Sequence, residues 1–329
     1  MTTFSAFRIH ADKSSHRADI EEMKLDDLSP GEVVIKVAYS SVNYKDALAG
    51  SGKGKILRQS PLNGGIDVSG TVISSTDPAF KEGDDVLCTG SGLSETHDGG
   101  YAQYARLESK WTIPLPAGLS LRDAMVLGTA GFTAALSLYR MTQNGQVPQM
   151  GPIVVTGATG GVGQLAIDIL TQAGYQAHAI SGKIEHFDDL IALGAKQCIS
   201  TKDLYWGQRP LESTKWAGAI DNVGGDLLSG LTRVIHPYGN IASCGNAAAI
   251  ELQTTVMPFI LRGVSLLGIA SAGTARIIRD EIWRHLASDW KPAHLDKIAT
   301  SEVSLDQLPA VFDKMTSGAS FGRTVVKIG

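Results

Sequence analysis

The chain has 329 residues, of which 43% are hydrophobic and 19% charged, with a net charge of −4. That length suits two domains at roughly 150 residues each, and the mild acidity gives no reason to expect a nucleic-acid surface or a basic membrane-binding face. The three cysteines, Cys88, Cys198 and Cys244, are widely spaced and odd in number, so they form no disulfide framework and fit a reducing compartment.

Met1 to Arg17 lacks the apolar core of a secretory signal, and no apolar stretch approaches a membrane span, so a cytoplasmic protein is expected. The first third reads as short strands separated by turns. Val33–Tyr39 follows the turn Ser29-Pro30-Gly31-Glu32, and Gly70–Ile73, Asp85–Cys88 and Tyr101–Ala105 continue the pattern. Such spacing without long helices suggests a barrel-like or sandwich-like unit. From Leu121 the sequence turns Ala- and Leu-rich at helical spacing, over 121–127 and again over 129–139. From Ile153 to about residue 245 apolar strands alternate with helices. The strands are predicted at 153–156, 176–180, 197–200, 217–221 and 239–243, with helices at 163–173 and 187–193 among them. That alternation marks a parallel sheet wound on both faces. Residues 322–328 read as a strand returning to the first domain.

The strongest local motif is Ile153-Val154-Val155-Thr156-Gly157-Ala158-Thr159-Gly160-Gly161-Val162-Gly163, which runs directly into the helical Gln164-Leu165-Ala166-Ile167. Strand, glycine turn and helix are the setting in which backbone N–H groups and a helix dipole hold a pyrophosphate. Ala158 stands where the usual fingerprint has its first glycine. An NAD enzyme would place Asp or Glu at the end of the second strand, on the ribose hydroxyls. Here Ile180 is followed by Ser181-Gly182-Lys183, which can approach and neutralise a 2′-phosphate, so NADPH is favoured.

Ser41-Val42-Asn43-Tyr44-Lys45-Asp46, Lys53-Gly54-Lys55, Gly65–Gly70, Leu127–Ala134, the glycine turn and Thr255–Arg262 together resemble the medium-chain dehydrogenase/reductase superfamily. Within it the chain is similar to the zinc-independent acryloyl-CoA reductase and quinone oxidoreductase family, over essentially its whole length. The resemblance implies an α/β protein in two parts. One is a GroES-like, partly open β-barrel catalytic domain, residues 1–123 and 265–329. The other is an inserted Rossmann domain with a doubly wound parallel sheet, residues 124–264. It also implies a homodimer. Carried over, Tyr44 faces the nicotinamide, and Thr159, Gly160, Gly161 and Val162, followed by Gly163, hold the pyrophosphate. Ser181, Gly182 and Lys183 meet the 2′-phosphate, while Asn246, Ile260 and Ser271 line the nicotinamide and ribose. Thr129, at a helix entry, and Arg323 are counted among the cofactor contacts as well.

Zinc-dependent members of this superfamily bind metal through Cys and His in these early segments. Here those segments read Asn43-Tyr44-Lys45-Asp46 and Gly64-Gly65-Ile66-Asp67, and the eight histidines show no ligand-pair spacing. Catalysis without metal is expected. The natural reaction is hydride addition to an activated C=C bond, with hydrogen-bond donors needed on the carbonyl oxygen and a proton on the α-carbon. Asn43 and Tyr44 are the catalytic candidates, Tyr44 either orienting substrate or nicotinamide or serving as a packing wall. Asp46 and Asp67 are expected to bond backbone N–H groups rather than react. Lys53, Lys55 and Arg58 form a glycine-rich basic loop that either holds the phosphates of coenzyme A or is a solvated loop. The readings left open are reduction of a short enoyl-CoA such as acryloyl-CoA, reduction of a quinone, and a non-enzymatic NADPH- or RNA-binding role.

Overall fold

The computed structural model describes residues 3–12 and 15–329. The chain forms two compact units, one of Met1–Thr129, Ala272–Trp283 and Leu295–Gly329, the other of Ala130–Ser271 and Arg284–His294. Its elements begin with β1 (Thr3–Ala11), β2 (His16–Lys24), β3 (Val33–Val42), α1 (Tyr44–Gly50), β4 (Leu62–Asn63) and β5 (Asp67–Ser75). There follow β6 (Asp85–Thr89), β7 (Tyr104–Leu107), β8 (Ile113–Pro114) and α2 (Leu121–Gln143). The alternating region supplies β9 (Ile153–Thr156), α3 (Gly161–Gln172), β10 (Ala177–Ser181), α4 (Phe187–Ala192), β11 (Ala195–Ser200) and β12 (Trp216–Asp221). It closes with α5 (Gly225–Val234), β13 (Ile235–Ser243), α6 (Met257–Arg262) and β14 (Ser265–Gly268). The tail contains α7 (Arg276–Leu286), α8 (Leu295–Ile298), β15 (Ala299–Val303), α9 (Leu308–Thr316) and β16 (Arg323–Lys327).

In the first unit one sheet runs β15-β16-β3-β5-β6-β8, with β7 also pairing β3, and a smaller sheet runs β2-β1-β4. This is the expected GroES-like barrel. Its core alternates along the strands: Val33, Ile35 and Val37 of β3 point inward with Val68, Val72, Val86 and Leu107, all buried. Each such aliphatic side chain contributes about 1.5–3 kcal/mol by leaving water. The C-terminal strand returns as expected, with β16 antiparallel to β3. The strand read at Tyr101–Ala105 begins later, at Tyr104. The Tyr101 backbone is held by Phe7 and Gly64 instead and that of Gln103 by Ser5 and Val37, and the Tyr101 ring is buried with its hydroxyl donating to the Ser41 carbonyl at 3.1 Å.

Helix α2 bends at Gly128 (φ 48°, ψ −154°), which explains why its sequence reads as two helices. A Cβ there would lie 2.5 Å from Asp67 Oδ2 and 2.9 Å from Arg323 Nη2, so glycine is required by space as well as by its positive φ.

The second unit has a six-stranded parallel sheet of order β11-β10-β9-β12-β13-β14, two halves wound outward from β9 and β12. Ile153, Val154, Val155 and Thr156 are buried, as a central strand covered on both faces must be. The division of the chain differs from the expected one at both boundaries: residues 124–129 belong to the first unit, and 265–271 and 284–294 to the second. Residues 265–271 stay with this unit because β14 pairs with β13, from Asn240↔Ser265 to Ser243↔Gly268.

Candidate active site

All neighbouring pairings in the second unit are parallel, so the carboxyl ends of its strands share one edge, where ligands of such sheets bind. The glycine turn lies there. Gly157 adopts φ 58°, Gly160 N-caps α3 without a side-chain bond, and Gly160, Gly161 and Val162 are not buried. The first N–H groups of a helix have no carbonyl partner within it. With glycine as cap, those of α3 are offered to an anion. A Cβ on Gly163 would come within 2.5 Å of the Gly157 carbonyl oxygen, so this glycine sets how closely helix and turn approach. Gln164 Nε2 donates to the Thr159 carbonyl at 3.2 Å, and the Thr159 and Ser181 hydroxyls are 3.1 Å apart.

That last contact ties the turn to the end of β10. Ser181 Oγ accepts from the Lys183 N–H at 3.1 Å, and Ser181 is only 4% exposed. Ser181 therefore shapes the turn, while Gly182 is exposed and Lys183 partly so. No acidic residue stands at the end of β10 to claim ribose hydroxyls.

Sequence reasoning missed a set of groups that fixes the same edge. Asp221, buried at the end of β12, accepts from Thr156 Oγ1 at 2.7 Å and from the Gly224 N–H at 2.9 Å. Asn222 Nδ2 donates to the Thr156 carbonyl at 2.7 Å. These bonds lock the ends of β9 and β12 side by side, and burial pushes the Asp221 carboxyl up despite them. The signal was visible only as two polar strand ends.

Asn246 and Ser271 follow β13 and β14 and so lie at the carboxyl edge, Asn246 exposed. The assignment of Ile260 is corrected. It sits in the last turn of α6, ahead of β14, and neighbouring Arg262 donates to the carbonyls of Arg233 and Glu212 at the amino-terminal edge. Its side chain is 68% exposed there, on the edge opposite the glycine turn.

The first unit carries a buried polar network. Asp67 Oδ2 accepts from Ser41 Oγ at 2.7 Å, Asn43 Nδ2 at 2.8 Å and the Thr129 N–H at 2.9 Å, and Oδ1 accepts from Thr129 Oγ1 at 2.6 Å. Arg323 lies 3.9 Å away, 3% exposed. Its guanidinium has five N–H donors. They go to the carbonyls of Val126, Val42 and Met125, to Asn43 Oδ1 and to Ser41 Oγ, at 2.8–3.5 Å. Arg323 is thus corrected from a cofactor contact to a buried structural cation with no donor left over. Thr129 likewise gives its N–H and hydroxyl to Asp67.

Asp46 lies beside this network. Its Oδ2 accepts from the Asn43 N–H at 2.8 Å and from Asn43 Nδ2 at 3.2 Å, and its Oδ1 from the Ile66 N–H at 2.9 Å. Burial, with the Asp67 charge second, pushes Asp46 up to about 7 against the pull of those bonds. Both carboxylates bond backbone and side-chain donors, as expected. Asn43 Nδ2 is shared between them, so its side chain positions the start of α1 rather than offering a donor outward. Tyr44, at the first position of α1, is 51% exposed. It is the candidate left with a presented polar group.

The basic loop divides. Lys53 Nζ donates to Thr316 Oγ1 at 2.7 Å and lies 3.9 Å from Asp313, on α9. Lys55 and Arg58 instead border a pocket beside the C-terminal end of α1. Lys45 pairs with Glu95, which is also 3.9 Å from Arg58.

These residues do not fit a catalytic zinc. Asp67 is saturated with donors, and a divalent cation beside it would face the buried guanidinium of Arg323. Among the described residues no group of three or more His, Cys, Asp or Glu side chains could hold a metal ion. The histidines serve locally: His16 and His97 bond the Ala49 and Arg106 carbonyls, and His294 bonds Asp168.

Residues 29–117 match the family model of the alcohol dehydrogenase GroES-like domain, and residues 161–288 that of the zinc-binding dehydrogenases. The chain is 44% identical to the Bacillus subtilis protein YhfP, whose name suggests a quinone oxidoreductase, over 99% of each chain. A crystal structure of that protein with NAD bound superposes with a TM-score of 0.96, covering 99% of this chain and 100% of that one. It is 40% identical to the acrylyl-CoA reductase AcuI of Ruegeria pomeroyi, again over 99% of each. The yhdH oxidoreductase of Salmonella enterica, crystallised with NADP, is 43% identical with a TM-score of 0.95, over 99% of this chain and 100% of that one. The chain therefore belongs to the medium-chain dehydrogenase/reductase superfamily, within the oxidoreductase group that includes AcuI and YhfP.

Proposed function

We propose that the protein is an NADPH-dependent reductase of the C=C bond of a short α,β-unsaturated acyl-CoA, acryloyl-CoA being the test case. The observation that carries the cofactor choice is the end of β10. A carboxylate-free Ser181-Gly182-Lys183 turn is tied to the glycine turn through Thr159, so a residue carrying a cation stands on a turn linked to the open glycine turn. Gly160, Gly161 and Val162 would hold the pyrophosphate on the N–H groups of α3, and Gly182 and Lys183 the 2′-phosphate. Asn246 and Ser271, at the same edge, would meet the ribose and nicotinamide. When bound, NADPH supplies the hydride that the β-carbon of the substrate accepts.

The protein's own part is positioning and charge stabilisation. The carboxylate pair Asp46 and Asp67, through Asn43, fixes the first turn of α1 and with it the backbone of Tyr44. Thr129 is held by Asp67 in the same way. The Tyr44 hydroxyl is the donor for the thioester oxygen, on which negative charge develops as the C=C bond is reduced. Water reaches this exposed position and can deliver the α-carbon proton. Tyr44→Phe should therefore lower kcat/KM with the enoyl-CoA, and an unchanged value would reduce Tyr44 to a packing wall.

The acyl-CoA substrate is supported by the name of the Ruegeria relative, and a quinone, the second reading, by that of the Bacillus relative. NADPH oxidation measured in parallel with acryloyl-CoA, crotonyl-CoA and a benzoquinone decides between them. A kcat/KM for acryloyl-CoA in the usual range of about 10⁴–10⁸ M⁻¹s⁻¹, far above the quinone, supports the first. Quinone turnover alone supports the second. The proposal also takes the enzyme as a cytoplasmic homodimer. Among the described residues no helix is long and apolar enough to cross a membrane. The edge strand β14, with exposed Leu261 and Leu266 beside and on it, supports a second copy adding there.

A further inference from the structure

The first unit contains a pocket of about 530 Å³ that no step of the proposed reaction uses. Its walls come from Ala11, Asp12, Ser15 and His16, from Ala49 with Gly52, and from residues 54–60. They are fixed rather than incidental. Ala11 N–H donates to Ser60 Oγ at 2.8 Å, and His16 Nε2 bonds the Ala49 carbonyl at 2.8 Å. Gly52, at φ 70°, lets the His16 ring lie where a Cβ would come within 2.8 Å of it. Both oxygens of Asp12 are engaged by Ser15, through its N–H and its hydroxyl, at 2.8 Å. The Arg58 and Gln59 N–H groups both bond the Glu95 carbonyl, which holds the far wall.

The chemistry of the lining is mixed in a particular way. Ile56 and Leu57 give an apolar surface, while Lys55 and Arg58 bring two cations to the rim with their side chains exposed. Among the described residues Lys55 makes no ion pair, and Arg58 keeps only a long contact with a Glu95 that also serves Lys45. A cavity of this size, partly apolar and with two available cations, suits a flat ring carrying phosphate. Its place matters too. Ala49 lines it and Tyr44 begins the same helix, so the two are about 7.5 Å apart along the axis at 1.5 Å per residue.

We propose that this pocket receives the phosphorylated nucleoside end of the acyl-CoA substrate, with Lys55 and Arg58 on its phosphate and the ring against Ile56 and Leu57. The proposal rests on the enoyl-CoA reading, and it removes Lys53 from the set, since that ammonium is turned toward Thr316 and Asp313 on α9.

Adenosine 3′,5′-bisphosphate is the probe, titrated calorimetrically into the full chain with saturating NADP⁺ so that the glycine turn is occupied. Wild type should bind it, and Lys55→Glu with Arg58→Glu should weaken binding by about tenfold or more, the loss of charge-assisted bonds. Lys53→Glu, a charge reversal in the same loop outside the pocket, should leave binding unchanged. In parallel, the ratio of kcat/KM for acryloyl-CoA to that for acryloyl-pantetheine should fall toward one in the Lys55/Arg58 variant. No binding by wild type, or equal binding by wild type and the double variant, overturns the pocket. So does loss of binding in Lys53→Glu as large as in the double variant. If acryloyl-CoA is turned over while the pocket fails, the enoyl-CoA reading stands without it. If the bisphosphate result holds while acryloyl-CoA is inert, the pocket stands and that reading falls.

Discussion

The glycine turn of the second unit is made by consecutive residues, Ile153 to Gly163, whereas the polar network of the first unit gathers Ser41, Asn43, Asp67, Thr129 and Arg323 from distant parts of the chain. In the turn, the polar groups that matter are backbone N–H groups, and the side chains are chosen mostly for being absent. In the network, side chains, carbonyls and the Thr129 N–H are each held by a partner, up to 282 residues away. The turn is built to leave donors open for a ligand. The network is built to leave none open, because an unpaired buried charge is costly. One region binds by what it withholds from itself, the other positions by consuming everything it has.

The widest test of that contrast is Asp67→Ala. It strands Arg323 in the core and frees the hydroxyls of Ser41 and Thr129 and the amide of Asn43. Breaking a buried pair on one side costs about 3–5 kcal/mol, and urea denaturation should show a loss of that size. If stability fell by less than about 1 kcal/mol, the network would be an ornament of a unit held by its apolar strands alone.

The next effect is a pH dependence. Asp46 sits near 7 in the folded protein against an ordinary value of 3.8. Between the two, the folded state keeps a proton that the unfolded chain has released. Stability therefore falls as pH rises through that window and levels off above it, with a slope of at most about 1.4 kcal/mol per pH unit. Asp46→Asn should flatten this portion of the curve, whatever its effect on absolute stability. A slope unchanged in Asp46→Asn would mean that the Asp46 carboxyl titrates alike in folded and unfolded chains.

The same contrast decides what could be read in advance. The order of strands and helices from Ile153 to Ser243 was legible because each element carries its own period and its own turn. The two helical runs read at 121–127 and 129–139 even part at Gly128, where α2 bends. Asp46 and Asp67 were legible as structural carboxylates, but their shared partner Asn43 was not, and it was taken for a donor to substrate. Arg323 was misplaced for the same reason. Nothing near it in sequence shows that β16 carries it beneath the Gly128 bend. Residues 265–268 were not read as a strand, since four residues without alternation carry no period, and the resemblance placed them in the other unit. Ile260 was placed at the cofactor on resemblance, while the direction of α6 depends on where Arg233 and Glu212 lie.

On the ligand side, Gly163→Ala should weaken NADPH binding by about tenfold or more. The new Cβ meets the backbone of Gly157 and Ala158, not a yielding side chain. Overpacking of this kind costs about 1–3 kcal/mol, which here is spent displacing the turn. Fluorescence titration with NADPH measures it, and an equal loss for NADH is expected because both share the pyrophosphate. An unchanged affinity for both would place the pyrophosphate away from α3.

Lys183 should behave differently, and the difference is the finest test of how the turn works. Its ammonium gains a charge–charge attraction from the 2′-phosphate, which NADPH has and NADH lacks. Its side chain is partly exposed, so the interaction is screened, and Lys183→Ala should cost about 1.4 kcal/mol, or tenfold, for NADPH. NADH binding should not move. Because the Bacillus relative of similar fold was crystallised with NAD, the wild-type preference is itself informative. A preference for NADPH that collapses in Lys183→Ala assigns selectivity to a single cation beside an acid-free strand end. If the preference survived the substitution, selectivity would instead come from the backbone of Gly182 and the Ser181–Thr159 link, and then Ser181→Ala, which unties that link, should be the variant that erases it.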